Sequence, residues 1–326
     1  MVTSVKIPFM PTIIEHAASF ISRTPSSVAQ NANLLAMAHI AAYKHYLPDA
    51  VTIGMDIYNI EAEALGCTVR FYDDTSIPGI VGRLCYSELN LESITFSKDK
   101  GRIGLLLEAA SVVKAEIGGE VGVSVGICGA FSILIEMFGF EAALDILCDE
   151  VEVAHNILAQ LLEFQKAYCT EIAALGIGIV VFESWASPPL ISPAMYQQFA
   201  LPYESQLFAH MKEIGITVRP LVIGGDTRGI VNDMLDSGTT LLLSDYNTPL
   251  EIYVEKAREK DLTVRVNIDP KLIQNGDWDS IAARVHEIHT HAKSYGKIIA
   301  GSGVVPYNTS PENLLRVKQV IDGRVK

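Results

Sequence analysis

The stretch TTLLLSDYNTPLEIYVEKAREKDLTVRVNID, residues 239–269, decides the fold. It opens on one short apolar run, TTLLLSD (239–245), and closes on another, LTVRVNID (262–269). Between them Thr248–Pro249 supplies a helix start, a capping hydroxyl followed by proline at the first helical position, and LEIYVEKAREK continues the helix. A strand, a helix and a second strand in that order make a βαβ unit with parallel strands. Both runs carry few polar positions, as strands covered on two faces do.

The same unit repeats in both directions. Strands are expected at AVTIGMD (50–56), VGVSVGIC (121–128), IGIVVFE (177–183), ITVRPLVIG (216–224) and KIIAGSG (297–303). Ser192–Pro193, Asp269–Pro270 and Ser310–Pro311 repeat the cap-and-proline helix start. Pro202 should kink or split the helix that Ser192 opens, and 138–175 is long enough for two helices. Strands alternating with helices point to an α/β fold of the (β/α)8 TIM-barrel kind with an N-terminal helical extension around 10–48. The expected organisation is one domain over 1–326, with a helical cap at 1–48 and the barrel at 49–326. Only seven strands declare themselves, and the eighth is expected in 66–90. A doubly wound open sheet would give a similar alternation, but no G-x-G-x-x-G follows the first strand.

Composition narrows the function. Of 326 residues 49% are apolar and 19% charged, enough for a large core. The net charge of −13 comes without a basic block, which argues against nucleic acid and against an anionic membrane surface. No apolar run is long enough to span a bilayer, and the first residues lack the pattern of a signal peptide, so a cytoplasmic location is expected. Cys67, Cys85, Cys128, Cys148 and Cys169 are scattered and read as reduced, mostly packed thiols.

In a barrel the chemistry sits at the C-terminal strand ends. Those ends offer Asp56, Gly129, Glu183, Asp226, Asp245, Asn267 and Ser302, with Arg219 and Arg228 the only basic candidates nearby. Such a mouth is poor in donors for phosphates or polycarboxylates and suits a ligand rich in N–H groups.

Five segments, in order along the chain, resemble signatures of the uroporphyrinogen decarboxylase superfamily, especially its corrinoid-dependent methyltransferase branch. They are DAVTIGMDIYNIEAEALGC (49–67), GICGAFSILIEMFG (126–139), ESWASPPLISPAMYQQFALPY (183–203), RVNIDPKLIQNG (265–276) and GSGVVPYNTSPENLLRVKQVI (301–321). The resemblance implies a (β/α)8 barrel. It also exposes departures. The decarboxylases hold a tetrapyrrole's carboxylates with N-terminal arginines, whereas here no arginine precedes Arg23, and Ser302 stands about where their histidine falls. The thiol-methylating branch holds zinc with a His, a nearby Cys and a later Cys; Val222, Gly224 and Ser302 occupy those places.

What the resemblance then implies is a zinc-independent methyltransferase moving a methyl group from methylcobalamin, delivered by a corrinoid protein, to N5 of tetrahydrofolate. The pterin edge is expected on Asp245 and Asn267, with Asp56 and Ser302 as further contacts and Asp226 or Glu183 taking the proton. Two rivals stand beside it: a decarboxylase-like lyase, and a non-catalytic corrinoid-binding accessory protein. The bland readings are also definite. Asp56, Asp226 and Asp269 could each cap a helix, and Cys128 is expected to be packed. At most one of Glu61 and Glu63 should reach the mouth, while His286, His289 and His291 should lie on a solvated helix face.

Overall fold

The computed structural model describes residues 6–325. Eight short parallel strands organise it: β1 (Phe9–Thr12), β2 (Ala50–Ile53), β3 (Gly122–Cys128), β4 (Gly178–Phe182), β5 (Leu221–Val222), β6 (Leu241–Ser244), β7 (Thr263–Ile268) and β8 (Ile298–Val304). β2, β3, β4 and β5 pair in that order, and β6, β7, β8 and β1 pair in theirs. A bridge between Pro220 and Leu241 joins β5 to β6. On the other side Asp49 N donates to Phe9 O at 3.0 Å, and Phe9 N donates to Asp49 Oδ2 at 2.8 Å, linking β1 to the start of β2. The strands therefore follow one another in the cyclic order of a (β/α)8 barrel.

The eighth strand is not in 66–90. It is FMPT at 9–12, inside the expected helical extension, and it pairs with β8 through Phe9↔Ala300 and Met10↔Gly301. Pro11 concealed it, because proline lacks the ladder donor and rarely marks a strand interior. The extension's helices are Glu15–Ser19, Pro25–Ala29 and Ala32–Tyr46. Segment 66–90 holds an antiparallel hairpin, Thr68–Arg70 with Gly79–Gly82, which belongs to neither barrel sheet. In ITVRPLVIG only Leu221–Val222 is strand, again directly after a proline.

Other expectations hold with small shifts. The helix opened by Ser192 breaks into Pro193–Phe199 and Leu201–Glu213 just before Pro202, and Ser192 Oγ accepts from Met195 N at 3.2 Å. Residues 138–175 divide into Phe140–Asp149 and Val151–Ala174. Thr248 does not cap its helix, which runs from Leu250 to Glu259; its hydroxyl turns back to donate to Asp245 O at 2.6 Å. No described helix is long and apolar enough to cross a membrane.

The core runs between the strands' outer faces and the helix ring, with Ile53, Val125, Ile179 and Leu242 on the strands and Leu106, Leu161 and Phe208 on the helices, all at most 2% exposed. Each such side chain contributes about 1.5–3 kcal/mol through removal from water. That ring fixes the strand ends, and with them the mouth. His39, buried beneath the end of β2, lies 2.9 Å by Nε2 from Gly54 O; burial pushes its pKa down to about 4, so it is neutral there.

Candidate active site

At the C-terminal strand ends a cavity of about 260 Å³ opens on the β1, β2 and β4 side of the mouth. Met55 to Asn59, Phe182 and Val304 line it, and Glu15 and Glu136 bring two carboxylates to it, the Asp56 carboxylate lying buried behind the lining. Among the described residues no lysine, arginine or histidine lines it.

Glu136 comes from helix Ala130–Phe138, which is buried along its whole length. Trp185 Nε1 donates to its Oε1 at 2.8 Å, and Arg83 Nη2 lies 4.0 Å from its Oε2. Burial raises its pKa above the usual carboxylate value against both partners. The Trp185 ring is itself fixed by stacking on Phe140, 5.8 Å between centroids. Glu15 is likewise raised by burial.

Asp56 is 3% exposed and fully engaged. Arg102 Nη1 donates to Oδ1 at 2.8 Å and Nη2 to Oδ2 at 2.6 Å, while Asn59 Nδ2 donates to Oδ2 at 3.0 Å. Arg102 Nε also donates to Glu63 at 2.6 Å, and the guanidinium lies over the Phe71 ring. Asp56 thus borders the cavity as half of a bidentate ion pair, and desolvation leaves its pKa raised even so.

The remaining expected residues take other places. Glu183 does not line the cavity. Its Oε1 accepts from Ser132 N at 2.6 Å, at the N-terminus of helix Ala130–Phe138, where the helix dipole favours a carboxylate. Gly129 is required beside it, since a Cβ there would overlap the Glu183 carboxylate. Buried wholly in that place, Glu183 caps a helix from another strand, with its pKa pushed up by burial to about 7. Asp226 is half-exposed and ion-paired to Arg228 through that residue's Nε and Nη2. Those contacts lower its pKa, the wrong direction for a base.

Asp245 and Asn267 are brought together, as expected of neighbouring strand ends, but as a brace. Asn267 Nδ2 donates to Asp245 Oδ1 at 3.1 Å, and Gly225 N donates to Oδ2 at 2.7 Å. Neither lines the 260 Å³ cavity. Their link to it is indirect: Gly224 N donates to Ser184 Oγ at 3.3 Å, and Ser184 N donates to Tyr58 Oη at 3.2 Å. Ser302 is fully buried in the seam between β8 and β1, where its Oγ accepts from Thr12 N at 3.2 Å.

A zinc ion does not fit positions 222, 224 and 302. Valine and glycine bring no donor atom, and the serine hydroxyl is occupied by the seam. Among the described residues the one group of three metal-capable side chains is Glu251, Glu287 and His291, ligand atoms within 4.8 Å, on helices Leu250–Glu259 and Trp278–Ser294. His291 therefore does not stand on a plain solvated face, and neither does His289, whose Nε2 lies 2.8 Å from Ile321 O.

Neither Glu61 nor Glu63 reaches the cavity. Glu61 Oε1 accepts from Cys128 N at 2.9 Å, and burial pushes its pKa up to about 8. An acid raised on folding binds its proton more tightly in the native state. Its contribution to stability is complete below the unfolded value of 4.5 and is lost as pH rises through about 8. Denaturant midpoints should therefore fall across that window, and Glu61→Gln should flatten the fall; an unchanged slope in the variant would contradict the assignment.

Three site residues were not singled out in the sequence: Glu136, Glu15 and Arg102. Glu136 alone carried a signal, as the one charge in the otherwise apolar run AFSILIEMF.

The comparisons agree with this architecture. The family model for Uroporphyrinogen decarboxylase (URO-D) matches residues 4–323. The methylcobamide:CoM methyltransferase MtbA of Methanosarcina acetivorans is 24% identical over 265 residues, covering 80% of this chain and 76% of that protein. The uroporphyrinogen decarboxylase of Chlorobium limicola is 26% identical over 280 residues, covering 82% and 77%. The solved structure of a methyltransferase from Methanosarcina mazei superposes with a TM-score of 0.83 at 20% identity, covering 98% of this chain and 94% of that one.

Proposed function

Because the chain belongs to the uroporphyrinogen decarboxylase (URO-D) family, we propose that it transfers a methyl group from a methylcorrinoid, carried by a partner protein, to a small acceptor held in the mouth cavity. The observation that carries this reading is the cavity's charge: the carboxylates of Glu15 and Glu136 and no lining cation. A porphyrinogen's carboxylates would meet like charge there, and Arg102 is already bound on two sides by Asp56 and Glu63. The methyltransferase names of the Methanosarcina relatives support the same branch.

The acceptor proposed is tetrahydrofolate. Coenzyme M, named for the Methanosarcina acetivorans relative, is a thiol, and a thiol needs a metal or a cationic neighbour to become a thiolate near neutral pH. Positions 222, 224 and 302 supply neither. A secondary amine is nucleophilic without metal, and the N–H edges of a pterin suit carboxylates. In the transfer the N5–methyl bond forms as the methyl–cobalt bond breaks. The electron pair leaves on cobalt as Co(I), and N5 loses its proton to a carboxylate. Glu136, which lines the cavity and is raised by burial, takes that role better than Asp226 or Glu183, which do not line it. Positioning and exclusion of water supply most of the rate.

The test is direct. The purified protein is mixed with methylcobalamin and either tetrahydrofolate or coenzyme M, and Co(I) is followed by its absorbance. Demethylation should need tetrahydrofolate, with the thiol at least about tenfold slower, since only a few per cent of it is thiolate. Comparable turnover with the thiol would remove the folate assignment while leaving the methyltransferase reading. Absence of Co(I) with both acceptors, and with the methylated corrinoid protein as donor, would remove both.

A further inference from the structure

A second cavity, about 220 Å³, lies at the opposite end of the barrel, among the strand starts. Barrel interiors are normally filled there by layered side chains. Here Gly122 and Gly178 leave the layer incomplete, and a Cβ on Gly122 would touch nothing within 4 Å. The walls are mostly apolar, with Val180, Val218 and Leu241 prominent. Val218 is 63% exposed, so the pit communicates with solvent at this end.

One charged group faces the pit, Arg265 from β7. All its hydrogen bonds leave from Nη2 and go to neutral acceptors: Met10 O at 3.0 Å, Thr12 Oγ1 at 2.6 Å and Ser302 O at 3.1 Å. Its Nε is buried without a partner. No salt bridge to Arg265 exists among the described residues, the Asp245 carboxylate acting on it only from beyond 4 Å, whereas the buried Arg102 has a carboxylate in contact on two sides. Burial lowers its pKa only to about 10, so the guanidinium stays charged near neutral pH. Gly301 makes its position possible, since a Cβ there would run into Nε. A largely desolvated guanidinium with no carboxylate in contact is costly, and it is stabilised by an anion that reaches it.

We propose that the pit at the N-terminal end of the barrel is a second ligand site, for a small aliphatic monocarboxylate. The carboxylate caps the free side of the Arg265 guanidinium, and a short alkyl tail lies against Val180, Val218 and Leu241. A single guanidinium satisfies one carboxylate in a forked geometry. The apolar walls, carrying only the mutually bonded hydroxyls of Thr52 and Ser124, 3.1 Å apart, give nothing to a second charge.

Calorimetric titration of butyrate into the full-length protein tests this. The wild type should bind about one butyrate per chain with a Kd near 1 mM or tighter. Gly122→Phe fills the pit and should weaken binding at least about tenfold, with methyl transfer at the far end unaltered. Arg265→Met should do the same; should that variant not fold, Gly122→Phe still decides. Absence of saturable binding in the wild type overturns the proposal, as does binding that survives Gly122→Phe. Sulfate competing as well as butyrate would overturn the monocarboxylate class.

Discussion

Replacing Arg102 with methionine should destabilise the protein by about 3–5 kcal/mol, the largest stability effect expected of any single change near the mouth. The reason is asymmetry. Asp56 has a side chain with no exposure, and Arg102 supplies two of its three hydrogen bonds from side chains. With the guanidinium gone, the carboxylate keeps only Asn59, and Glu63 loses its 2.6 Å partner as well. Protonation of Asp56 limits the loss, since its pKa is already raised by burial. The variant should therefore be relatively more stable in acid. Urea unfolding of wild type, Arg102→Met, Asp56→Asn and the double variant closes a cycle. The double variant should be less destabilised than the sum of the singles, because each single leaves a buried group unpaired. Additive losses would mean that the two residues do not act as a pair.

Asp56 also shows what the sequence could and could not say. That it stood at a strand end was legible, because the alternation of apolar runs and capped helices is a local property. Its partner was not, because Arg102 is 46 residues away, in a stretch with no feature to distinguish it. The same division runs through the site. Asp245 and Asn267 were correctly placed on neighbouring strand ends, but the bonds that turn them into a brace for Gly225 depend on the exact facing of two loops. Glu183 looked available because its own neighbours do not bind it; Ser132, 51 residues earlier, does. The eighth strand escaped because Pro11 broke the local rule, and β8 across the seam overrode it. Elements follow from periodicity, whereas the occupancy of each polar atom follows from tertiary contacts that periodicity does not encode.

Glu136→Gln should lower the rate of methyl transfer by about a hundredfold or more while leaving folate affinity within a few-fold, the largest catalytic effect expected. Glutamine fits the same space and can still accept from Trp185 Nε1, so the helix and the stacked Trp185–Phe140 pair should stand. What it cannot do is accept the proton that N5 of the proposed acceptor must lose. The pH profile separates this role from a structural one. A base works in its ionised form, so the wild-type rate should rise with pH through the raised pKa of Glu136 and be lost as pH falls below it. The glutamine variant should be slow and flat across the same range. Asp226→Asn is the control. Its ion pair with Arg228 lies at the surface, and its lowered pKa keeps it ionised throughout. Loss of that pair should change the rate by no more than about twofold. If Asp226→Asn instead abolishes the pH dependence and Glu136→Gln keeps it, the proton leaves through the outer loop, and the cavity at β1, β2 and β4 holds the acceptor without reacting with it.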